Sequence, residues 1–75
     1  MVETTKQYYR VDRKQISFLK FILEAYEGLA VLTTINAEKG IVVIQMAPGC
    51  EADAEMILHD LKKSVMIEKI AAKNT

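Results

Sequence analysis

The spacing of apolar residues along this chain changes several times, and each change marks an element. Over Thr5–Val11 residues suited to strands alternate, with Tyr9 and Val11 on one face and Tyr8 and Arg10 on the other, which predicts a first strand. Asp12 is followed three residues on by Gln15, the form of a capping box in which a carboxylate accepts free amide protons, so a helix is expected to start there. From Arg13 to Glu27 the polar residues Arg13, Ser17, Lys20, Glu24 and Glu27 leave one narrow solvated stripe. The remaining positions, including Phe18, Leu19, Phe21, Ile22 and Leu23, cover more than the roughly 100° of an ordinary surface helix, which predicts packing on two sides. Gly28 and Leu29 supply the helix stop.

Ala30–Ile35 and Ile41–Ala47 are β-branched runs separated by Asn36-Ala37-Glu38-Lys39-Gly40, a connection of hairpin length. Pro48-Gly49 ends the second run, and Cys50 to Ser64 places Ala54, Ile57, Leu58 and Leu61 at helical spacing, with Val65 continuing the series. A short last strand is expected over Val65–Ala71, where Glu68 and Lys69 occupy both parities and leave the inward face open. Right-handed crossovers then favour an α+β, ferredoxin-like βαββαβ sandwich: a four-stranded antiparallel sheet with two helices on one face. Residues 1–75 read as a single domain with an ordered core of about 5–72.

That arrangement leaves one sheet face without helices. The strand from Ile41 to Met46 is apolar on both parities, so one set must face outward; if Gln45 marks it, Ile41 and Val43 join Tyr8 and Leu32 on the open face as a subunit contact. With the first and third strands taken to run parallel at the centre, both helix N-termini fall at one end. Asp12, Arg13, Gly49 and Cys50 then become neighbours, offering free amides to a carboxylate or phosphate.

Composition narrows the functions. Seventy-five residues lie at the size where one core leaves little net stability, which favours a homo-oligomer, dimer or higher. Ten basic and ten acidic residues cancel, removing the field that concentrates proteins on nucleic acid or anionic membranes. The segment Gly40–Ile44 is far too short to span a bilayer, and a lone Cys50 with no apolar leader points to a reducing cytoplasm. The alternative reading is a small thiol-dependent enzyme with a Cys50 thiolate at the start of the second helix as nucleophile; the single His59 stands about two turns away, so the leading reading is no enzyme. Glu55 and His59 share a helical face as two metal ligands at most; no metal and no cofactor are expected. Single-strand nucleic-acid binding on the open sheet face is the third reading, weakened because Tyr8 is its only aromatic and the run from Gly40 to Met46 has none.

The runs Tyr9-Arg10-Val11-Asp12, Phe18-Leu19-Lys20-Phe21-Ile22-Leu23-Glu24-Ala25-Tyr26-Glu27-Gly28-Leu29-Ala30 and Ala47-Pro48-Gly49-Cys50 resemble a family of small uncharacterised bacterial proteins classed as a domain of unknown function. That resemblance spans most of the chain and implies no activity. In topology the chain is also similar to ACT-type regulatory domains, which bind small effectors at subunit interfaces near the turn from first strand to first helix. Val11-Asp12-Arg13-Lys14 keeps an acidic residue at that turn but lacks the Arg-Pro-Gly-like sequence that shapes it in those domains. The resemblance implies an oligomeric interaction or regulatory module, and the helix ends described above would give it a small anionic effector.

Overall fold

The computed structural model describes residues 5–70. Its elements are β1 (Thr5–Val11), a 3-10 turn (Arg13–Gln15), α1 (Ile16–Glu24), β2 (Ala30–Asn36), β3 (Ile41–Met46), α2 (Glu51–Leu61) and β4 (Ile67–Ile70). The strands form one sheet in the order β2-β3-β1-β4, and every adjacent pair is antiparallel. This is the ferredoxin-like α+β arrangement.

Strand alternation sorts the side chains. Tyr9 and Val11 of β1, Val42, Ile44 and Met46 of β3, Ala30 and Leu32 of β2 and Ile67 of β4 share one core with Leu19 and Leu23 of α1 and Ala54 and Leu58 of α2. Each fully buried large side chain there contributes about 1.5–3 kcal/mol by leaving water. Both helices therefore lie on the same face, and Tyr8, Arg10, Ile41, Val43, Gln45, Val31 and Thr33 point to the other.

Several elements differ from expectation. The α-helix covers only Ile16–Glu24, because Asp12 Oδ1 accepts from the Lys14 amide at 3.0 Å and winds residues 13–15 into a tighter turn. Gln15 makes no side-chain cap bond. At the other end the chain leaves the helix before Gly28, whose positive φ belongs to a turn closed by the Leu29 amide donating to the Tyr26 carbonyl. The two-sided packing of α1 is not met among the described residues: Leu19 and Leu23 are buried, whereas Phe18 is 43% and Phe21 69% exposed. Among the described residues, only the sheet-facing side has a neighbour. The second helix is Glu51–Leu61, shorter at both ends than expected, and the last strand spans Ile67–Ile70 with Ile67 and Lys69 on the helix side. Residues 71–72 of the expected core lie outside the described residues.

The β2–β3 hairpin locks onto β1. Asn36 Oδ1 accepts from the Lys39 amide at 3.1 Å, and a register shift between Thr34 and Asn36 leaves Ile35 as an extra residue of the edge strand. Gly40 has φ +72°, and the Val11 amide donates to its carbonyl at 2.8 Å. A Cβ on Gly40 would run into the Val11 carbonyl group, so the close approach of the hairpin to the end of β1 requires glycine. Gly40→Ala combines that collision with a left-handed backbone and is expected to cost at least about 2 kcal/mol. In thermal unfolding that corresponds to a fall in Tm of about 8 °C or more.

Candidate functional site

The site expected at converging helix N-termini does not form. Because β1 and β3 are antiparallel, with Thr5 opposite Met46 and Arg10 opposite Ile41, the chain leaves β1 and β3 at opposite ends of the sheet. Asp12 and Arg13 lie at the Gly40 end and Gly49 and Cys50 at the Thr5 end, separated by the length of β1, about 20 Å. Each end is also occupied by its own carboxylate. Asp12 takes the Lys14 amide, while Glu51 accepts from the Gly49 amide at 3.1 Å and from the Thr5 hydroxyl at 2.8 Å. The turn Ala47-Pro48-Gly49-Cys50, closed by the Cys50 amide on the Ala47 carbonyl at 2.9 Å, has proline second and a positive-φ glycine third, the form of a type II turn. Cys50 is a half-buried free thiol, and His59 lies nine residues along the helix, about 13 Å, too far for a nucleophile and base pair.

Of the expected contact residues on the open face, Tyr8, Ile41 and Val43 are on it and Leu32 is not. Leu32 pairs with Ile44 and is 3% exposed beneath the helices, because β2 enters the sheet with Ala30 opposite Met46 and so turns its even positions inward. Across the middle of the open face runs the row Ile70, Tyr8, Val43, Thr33, set by direct cross-strand pairing. Val43 is 5% exposed although no helix covers it, shielded by those neighbours and outside the main core. Beside the row, Arg10 pairs with Glu68 at 2.9 Å, an exposed ion pair worth less than about 1 kcal/mol.

A third place was not singled out from the sequence. Glu55, Leu58, His59 and Lys62 stand at positions i, i+3, i+4 and i+7 of the α2 region and overhang Tyr9 of β1 and its direct partner Lys69 of β4, enclosing a cleft of about 190 Å³. Tyr9 is only 4% exposed. Burial, and secondarily the Glu55 carboxylate, push its phenol above its usual range, so the hydroxyl stays protonated and able to donate. Glu55 and His59 do share the cleft, but no group of three or more metal-ligating side chains is present among the described residues. The available signal was Lys69 falling on the parity of Ile67, where a core strand would carry an apolar residue. No described helix is long and apolar enough to cross a membrane.

Among known proteins, a family model described as a domain of unknown function (DUF4911) matches residues 9–65. Comparisons with curated proteins and with solved structures give no match.

The contacts of Glu51 generate a pH dependence. The Thr5 hydroxyl first, and the Glu51 and Gly49 amides with it, hold its carboxyl below the ordinary carboxylate range. A depressed folded-state pKa stabilises the fold above the unfolded-state value, and that contribution disappears as pH falls through the folded-state value. Thr5→Val is expected to raise the Glu51 pKa in a carboxyl-detected NMR titration, and Glu51→Gln to flatten the acid limb of a stability curve.

Proposed function

The chain belongs to the DUF4911 family, and from that premise we propose that it works as a non-catalytic, self-associating module in the manner of ACT-type regulatory domains, responding to a small anionic effector in the cytoplasm. The observation that carries the reading is the helix-free sheet face, where Ile70, Tyr8 and Val43 make a continuous row flanked by Ile41 and by Val31, the latter 58% exposed. An apolar strip of this kind marks an interaction surface.

A second copy of the chain is the occupant that its chemistry favours. Zero net charge removes the repulsion between copies, and Lys6, Arg10 and Glu68 border the strip with both signs, as a two-fold, self-complementary contact needs. The small size of the chain adds a stability motive, since association buries area that one such core lacks. Rotation of strand against strand across such a face would also give an effector two states to choose between.

Val43→Lys is a poor probe, because a nearly buried charge would unfold a monomer as readily as part a dimer. The informative variants are Val31→Lys and Ile41→Lys, at the exposed and half-exposed edges of the strip. Native mass spectrometry of the wild type is expected to show a dimer or higher oligomer, and each substitution to weaken it by about tenfold or more with an unchanged circular dichroism spectrum. A wild-type monomer would overturn the reading.

A further inference from the structure

We propose that the cleft between α2 and the β1–β4 pair binds a small molecule carrying a carboxylate or phosphate, with the Tyr9 hydroxyl, Lys62 and Lys69 as its direct partners. The inference rests on the effector part of the function proposed above and gives it a location different from the helix ends.

Three observations converge on it. Tyr9 is packed into the core at 4% exposure, yet its hydroxyl has no hydrogen-bond partner among the described residues and is not sealed from the outside. The ring is buried while the hydroxyl tip reaches the cleft, where it can donate to solvent or to a bound acceptor. Second, Lys69 stands directly across from Tyr9 on the helix side of the sheet, and Lys62 closes the cleft from the end of α2. Neither lysine is in an ion pair among the described residues, where the pairs are Arg10 with Glu68 and Lys63 with Asp60. Third, cations outnumber carboxylates in the cleft lining, Lys62 and Lys69 against Glu55.

Together these select the ligand class. Two ammonium groups and a protonated phenol are all donors, and a carboxylate or phosphate accepts from all three. A metal cation would meet only Glu55 and His59 as ligands and would be repelled by both lysines. The volume of about 190 Å³ is below that of sites for drug-sized molecules, so the ligand is small. Glu55 opposes the anion and sets a ceiling on affinity, which makes its removal diagnostic.

The test is a two-dimensional amide NMR titration of the full chain with inorganic phosphate and, separately, with succinate. The expected result is saturable shifts around Tyr9, Glu55, His59, Lys62 and Lys69 with at least one of the two, the tighter probe identifying the headgroup. Lys69→Gln is expected to weaken binding by about tenfold, and Tyr9→Phe, which keeps the ring packing, by several-fold. Glu55→Gln should tighten it. Non-saturating shifts with both probes, saturable shifts mapping elsewhere, or equal weakening by Lys20→Gln on the exposed side of α1 would overturn the site. Native mass spectra of the same variants separate this from the assembly question, because an oligomer that binds neither probe defeats the cleft and leaves the sheet-face contact standing.

Discussion

Antiparallel pairing between β1 and β3 at the centre of the sheet is the interaction on which the other features depend. Six residues of β3 are paired on both sides, and Val42, Ile44 and Met46 carry the core from that position. The pairing is closed at one end by Gly40, where the hairpin comes so near the Val11 carbonyl that no side chain fits. Because the strands run in opposite directions, the two helices start at opposite ends of the sheet. Each N-terminus must then satisfy its own amides, and Asp12 and Glu51 do so separately.

The same pairing divides the molecule into a covered and an uncovered side. The described residues measure 16 Å along their shortest axis, the thickness of two layers, so a helix can cover only one face of the sheet. Among the described residues, Val43 is consequently buried by strand neighbours alone, and the aromatic side of α1 has no counterpart. In the association proposed above, this apolar face would be the surface through which copies meet, and stability would then depend on assembly.

At the β4 edge the core stops short. Ile67 still points inward, but two residues on the inward position is Lys69, and the α2 residues above it are Glu55 and His59. Local patterning that conflicts with burial is where natural chains depart from pure stability, and the departure here surrounds the buried phenol of Tyr9. Edge strands carry lysine for protection against strand addition as well. The cleft proposed above as an anion site lies beside this edge, with the Tyr9 hydroxyl reaching it.

Much of the fold was legible in order and spacing. Alternation over Thr5–Val11 marked β1 with its bounds, the β-branched runs around Asn36–Gly40 marked the hairpin, and Gln45 identified the outward set of β3. These follow from local rules, since period and turn chemistry act within a few residues. Strand direction across the sheet, the inward turn of Leu32, the single-sided packing of α1 and the meeting of Tyr9, Glu55, Lys62 and Lys69 were decided only by tertiary structure. Residues distant in the chain become neighbours through pairing register and helix docking, and a sequence period carries neither. Tyr9 illustrates the boundary: alternation alone placed its ring in the core, while the groups that face its hydroxyl come from a helix and a strand more than forty residues away in the sequence.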